Sequence, residues 1–176
     1  MIIETERLVL RPFVEADRAP FAAMNADPRV GEWLGGVRTP AESDATLARI
    51  AENALRNGFD FLAAERRSDG RVVGMIGLRA HEDSPPGPCL EVGWRLGYEA
   101  WGMGFATEGA AAALSWGFAN LDAPEIVAFT AASNLKSQAV MRRIGMAREP
   151  ARDFLHPGLA EDHPLRPHLL FTARRP

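Results

Sequence analysis

The stretch best suited to hold a ligand is Trp101-Gly102-Met103-Gly104-Phe105-Ala106-Thr107, which lies where an alternating segment gives way to a helical one. Gly102 and Gly104 permit backbone angles that other residues avoid, and they remove side chains that would hold a ligand off the main chain. Amides at the start of the following helix lack intrahelical acceptors and lie at the positive end of its dipole, which suits a phosphate or diphosphate. The residues predict an anion cradle over 101–107, against the plain alternative of a tight turn with two glycines and no ligand. Two other nucleotide patterns do not fit. A Gly-Lys-Ser/Thr phosphate loop needs a lysine where Phe105 follows Gly104. A dinucleotide fingerprint needs a third glycine where Thr107 stands.

Other reactive side chains carry less. His156, His163 and His168 share one segment, but two precede proline and none has the spacing of a helical or finger-like ligand pair, so no metal is expected. The lone Cys89 reads as a small apolar residue before a strand rather than a nucleophile.

The elements that must position the cradle follow from hydrophobic period. Leu90, Val92, Trp94 and Leu96 alternate with Glu91 and Arg95, a strand with one face in a core; Ala110, Leu114 and Phe118 recur every four residues on a helix slim enough to lie close to a sheet. Leu8 to Leu10 reads as a short first strand, stopped or kept at an edge by Pro12, and Glu15 to Asn25 as a short helix ended by Asp27-Pro28. Thr39-Pro40-Ala41-Glu42 is a capping box, and the helix behind it puts Leu47, Ile50, Ala51, Ala54 and Leu55 on one face before stopping near Asn57-Gly58. Val30 to Val37 has too many glycines for a helix; its Trp33 either anchors the loop in the core or closes over a substrate.

Strands are expected over Phe59–Arg66 and Arg71–Ala80, joined by Ser68-Asp69-Gly70, and over Glu125–Thr130 and Leu169–Thr172. His81 to Pro88 reads as a mobile solvated loop. A helix over Leu135–Ile144 begins at Asn134, a natural cap, and ends at Gly145. Hairpins followed by strand–helix–strand imply an α/β protein with a mixed sheet, in one domain spanning 1–176.

At 47% hydrophobic and a net charge of −3, the composition implies a globular chain with no general attraction to nucleic acid or anionic membrane. One cysteine excludes an intrachain disulfide, and no apolar run approaches the ~20 residues of a membrane span, so a cytoplasmic location is expected.

At three places the chain resembles one family, the GNAT superfamily of acetyl-CoA-dependent N-acetyltransferases. The family signature Gln/Arg-x-x-Gly-x-Gly/Ala is matched at Gly104 and Ala106, with Trp101 at the position usually held by Gln or Arg. Ala106-Thr107-Glu108-Gly109, the opening Thr5-Glu6-Arg7-Leu8-Val9-Leu10-Arg11-Pro12 and Ser133-Asn134-Leu135-Lys136-Ser137-Gln138-Ala139-Val140 resemble the branch of ribosomal-protein N-terminal (alanine) acetyltransferases.

The resemblance implies the acyl-CoA N-acyltransferase fold, with about six to seven strands and four helices, and acetyl-CoA as cosubstrate. It implies CoA contacts at Trp94, Gly102, Met103, Gly104, Phe105, Ala106, Thr107, Asn134 and Ser137. Ser137 is the candidate general acid for the departing thiolate, against a plain helix serine. Glu91 is the candidate base for a primary amine, a protein N-terminus or a small molecule, against a carboxylate paired with Arg95 or Arg79. Glu108 reads as a first-turn acid satisfied by the helix dipole. Arg142 and Arg143 either meet CoA phosphates or are solvated. Asp153, His156, Glu161 and His163 either select a cationic amine or belong to a connecting loop. Direct attack in a ternary complex, without metal, is the expected chemistry; a homodimer is compatible with it. Two alternatives remain: a non-catalytic acyl-CoA sensor and a nucleotide-binding module.

Overall fold

The computed structural model describes residues 1–175. Its sheet is built on two hairpin-linked halves. In chain order the elements are β1 (Ile3–Glu4), β2 (Leu8–Arg11), α1 (Arg18–Asn25), α2 (Pro28–Gly31), α3 (Pro40–Asn57), β3 (Phe61–Arg66), β4 (Arg71–His81), β5 (Cys89–Leu96), α4 (Phe105–Asn120), β6 (Glu125–Ala131), α5 (Leu135–Arg143), β7 (Ala147–Arg148), β8 (Phe154–Leu155) and β9 (Pro167–Arg174). The sheet order is β1-β2-β3-β4-β5-β6-β9-β7, with β8 on β9, and every pairing is antiparallel except β5 with β6.

The expected mixed α/β architecture is present, and the described residues add three two-residue strands and the four-residue α2 to the elements expected. Two-residue ladders carry no period, and α2 begins on Pro28 behind an Asp27 cap, a signal that reads equally as a helix stop. The segment expected to be loop therefore opens with a helical turn and continues as a 3-10 turn over Glu32–Leu34. The capping box forms as its residues predict: Thr39 Oγ1 accepts from the Glu42 amide, Glu42 accepts from the Thr39 amide at 2.8 Å, and Gly58 closes α3 in the left-handed region.

Alternation along the strands sorts the side chains to two faces. Leu8, Leu10, Leu62, Ile76, Leu78, Val92 and Leu96 pack beneath α4, while Phe61 and Met75 face Phe21, Leu47 and Ile50 from α1 and α3. The α4 helix lies unusually close to the sheet because two of its inward positions have no side chain. A Cβ at Gly109 would stand 2.5 Å from Ile76 Cδ1, and one at Gly117 2.8 Å from both Ile126 and Leu78. This closeness fixes the height of the α4 N-terminus above the end of β5.

Gly109→Val would force Ile76 and Leu8 apart in a filled core. The expected loss is about 1–3 kcal/mol, read as a lower urea midpoint with an unchanged slope.

Candidate active site

The two parallel strands β5 and β6 meet at a single register pair, Glu91 with Val127. Each is fully laddered on its other side, β5 to β4 from Cys89 to Leu96 and β6 to β9 from Glu125 to Ala131. Toward their C-terminal ends they therefore diverge, and residues 92–96 present backbone groups to a gap instead of a neighbour. The gap opens into a cleft of about 1510 Å³, lined by Gly93, Trp94, Phe129 and Thr130 from the strands, by Asn134 and Ser137 at the start of α5, and by Gly102 and the helix start 104–108.

The loop has the form an anion needs. Gly102 and Gly104 take φ of 75° and 83°, angles a side-chain-bearing residue rarely adopts. Gly104 occupies the N-cap of α4, so no side chain caps the helix, and the first intrahelical bond runs from the Glu108 amide to Gly104 O at 3.0 Å. The amides of 102–107 donate to no acceptor among the described residues. Gly102, Gly104, Phe105, Ala106 and Thr107 all line the cleft, although the Phe105 ring is buried in the core. Met103 departs from expectation: its side chain is 45% exposed and lies outside the lining, while its carbonyl accepts from Arg7 Nη1 at 2.9 Å. Trp101 ties the loop down, donating Nε1–H to Leu96 O at 2.8 Å, and its ring carries the Lys136 ammonium at 4.6 Å.

Glu108 does more than satisfy a dipole. Its carboxylate accepts from Thr5 Oγ1 at 2.6 Å, from the Arg7 amide at 2.8 Å and from Arg7 Nε at 2.6 Å. Two segments about a hundred residues apart, Thr5-Glu6-Arg7 and Ala106-Thr107-Glu108, thus form one clamp beneath the cradle. Burial alone would raise the Glu108 pKa; the bonds from Thr5 and Arg7 outweigh it and hold the carboxyl below its ordinary value.

On α5, Asn134 is buried and its Oδ1 accepts from the Ser137 amide at 3.1 Å, so it caps the helix while facing the cleft. The Ser137 hydroxyl has no partner among the described residues and lines the cleft. Arg143 also lines it, whereas Arg142 packs on Phe171 with its guanidinium 5.6 Å from the ring centre.

Glu91 pairs with neither Arg95 nor Arg79. His81 Nε2 lies 2.7 Å from Glu91 Oε2, with side-chain exposures of 25% and 14%. Arg79 instead holds Asp60 at 2.7 Å, and Arg95 reaches the neutral Asn25 Oδ1 at 3.1 Å. Burial, then the nearby Arg38, Arg79 and Arg49 cations, push the Arg95 pKa down to about 10. His81 was missed because it stands at the boundary of the expected strand and loop. The register that pairs Arg79 with Glu91 brings His81, two residues on, to the same face.

A further stretch of the cleft is bordered by two loops. Trp33 is half-buried, lines the cleft and belongs to neither core cluster, so it faces the ligand space instead of anchoring the loop. A Cβ on Gly35 would stand 3.2 Å from Leu159 of the second loop. His156 and His168 line the cleft, their rings 5.0 Å apart, and burial of His168, with His156 nearby, lowers its pKa. Asp153, expected as an amine selector, is consumed by Arg148 at 2.5 Å and the Leu170 amide; Glu161 and His163 lie outside the lining. The Cys89 thiol is pushed up by burial. Among the described residues no three His, Cys, Asp or Glu side chains converge to hold an ion, and no helix is long and apolar enough to cross a membrane.

Residues 7–147 match the family model described as an acetyltransferase (GNAT) domain. The chain is 29% identical over 150 residues, 85% of its length and 84% of the relative's, to the uncharacterized N-acetyltransferase YnaD of Bacillus subtilis (strain 168). The acetyltransferase from Agrobacterium tumefaciens str. C58 superposes with a TM-score of 0.80 at 28% identity, covering 99% of this chain and 94% of that one. The ribosomal-protein-S5-alanine acetyltransferase from Vibrio fischeri shares the fold, with a TM-score of 0.77 at 17% identity over 99% of this chain and 97% of that one.

The Glu108 clamp has a pH signature. A folded pKa below the unfolded one adds stability that is complete above the unfolded value, about 4.3, and is lost as pH falls through the lowered folded value. Glu108→Gln should therefore lower Tm most at neutral pH and converge with the parent in acid, measured by thermal unfolding across pH 2–7.

Proposed function

Because the chain belongs to the GNAT acetyltransferase family and its reaction is acetyl transfer from acetyl-CoA, we propose that a primary amine attacks directly, with both substrates bound in the cleft between β5 and β6. The observation that carries this reading is the run of uncommitted amides at 102–107, at the wide end of a gap whose narrow end is Glu91 and Val127. Acetyl-CoA supplies an activated thioester and a diphosphate. The amides of Gly102 to Thr107 and the first turn of α4 suit the diphosphate, with Lys136 and Arg143 adding positive charge along α5. Backbone groups of 92–96, beside Trp94, and the free Nδ2 of Asn134 suit the amide groups of the arm.

Glu91 takes the proton from the incoming ammonium, directly or through water, and passes it to His81, whose Nε2 lies 2.7 Å away and whose side chain is 25% exposed to solvent. The C–N bond forms as the C–S bond breaks; the Ser137 hydroxyl donates its proton to the departing sulfur and is reprotonated, through water, by the proton the nitrogen sheds as the amide forms. The acceptor class is a primary amine; the alanine amine in the name of the Vibrio fischeri neighbour is one member of it.

Ser137→Ala should lower kcat by about 10²-fold while leaving the KM for acetyl-CoA nearly unchanged. Glu91→Gln should lower kcat by a similar factor. Steady-state assays of thiol release with a panel of amines check both. CoA binding by calorimetry without turnover of any amine would instead make the chain an acyl-CoA sensor.

A further inference from the structure

Among the described residues Arg95 has no counterion. It lies on the β5 face that carries Glu91 and Gly93, opposite α4, and its Nη1 donates to Asn25 Oδ1 at 3.1 Å. Asn25 is fully buried and its Nδ2 donates to the buried Ser43 at 3.2 Å, so the guanidinium is held by a neutral pair that fixes its position without offsetting its charge. Arg95 Nε is enclosed and has no acceptor. The acids nearby are already engaged: Asp60 by three bonds from Arg79, Glu91 by His81, and Glu42 by the Thr39 cap with Arg38 at 3.6 Å. Arg49 of α3 lines the same part of the cleft and has no acidic partner among the described residues. An enclosed cation without a counterion is costly, and nothing in the packing requires one here.

We infer that the acceptor amine also carries an anionic group, a carboxylate or a phosphate, which Arg95 and Arg49 bind on the α1/α3 side of the cleft. Glu91 and Arg95 are four residues apart on one strand, so the amine and the anion of the acceptor lie within about 13 Å of each other. Gly93 between them lets the Phe61 ring lie against the strand: a Cβ there would stand 2.8 Å from that ring, which carries the Arg79 guanidinium at 4.5 Å. The aromatic floor and Trp33 suit the alkyl span of such an acceptor. The inference rests on the acetyltransferase reading above and narrows its substrate.

The test compares short ω-amino carboxylates and ω-amino phosphonates with their terminal amides and with diamines of equal length, as acceptors for acetyl-CoA. The parent enzyme should prefer an acid to its amide by about tenfold or more in kcat/KM, and Arg95→Gln and Arg49→Gln should each reduce that ratio toward one. The carboxylate and phosphonate arms distinguish the two anions. Parent turnover that favours amides or diamines overturns the inference and leaves the acetyltransferase reading standing. If no amine is acetylated, thermal shift with N-acetylated acid against N-acetylated amide reads the site without catalysis: stabilisation by the acid, lost in both variants, supports the anion site, and equal shifts overturn it. Arg49→Gln, at an exposed helix position, keeps the test valid should Arg95→Gln perturb folding.

Discussion

Everything in the site depends on a sheet that is closed everywhere except along one seam. Two parallel strands touch at Glu91 and Val127 and then part, and because each is anchored on its outer edge by a long antiparallel ladder, the seam cannot zip shut. Hydrogen-bonding groups left open inside a protein are normally a liability. In the reading proposed here they receive the arm of the coenzyme. The same divergence sets the distances: the wide end matches the glycine loop and the mouth of α4, and the narrow end holds the carboxylate–imidazole pair.

The cradle is held up from below as much as it is shaped by its glycines. Thr5, Arg7 and Glu108 lock the N-terminal strand to the first turn of α4, and Arg7 also reaches Met103 O and stacks on Phe105, 4.8 Å from its ring centre. Close contact of Gly109 and Gly117 with the sheet sets the helix height from the other side. These contacts hold the loop in place without a ligand, which limits the ordering cost of binding.

Most of this was legible in the amino-acid order wherever a physical period or a glycine requirement marked it. The α4 junction, the capping box at Thr39 and Glu42, the Asn134 cap and the left-handed Gly145 stand where their residues indicate. What escaped reading were contacts between segments with no local signature. Glu108 looked like a first-turn acid because its partners lie a hundred residues away; Glu91 looked like a match for Arg79, its cross-strand neighbour, because nothing local reveals that Asp60 already holds that arginine. Trp33 gave two readings, and its place in the cleft lining, outside both core clusters, decides against the anchor. The short strands β1, β7 and β8 are set by their neighbours and not by their own residues.

On the proposed reading the two halves of the cleft recognise by different means. One half is main chain, with amides whose placement depends on two glycines and a clamp; the other is side chain, with Trp33, Arg49, Arg95 and His156 drawn from elements far apart in the sequence. Substitution in the second half leaves the first untouched. On that reading a change of acceptor needs only substitutions in the second half, with the donor site and the scaffold kept.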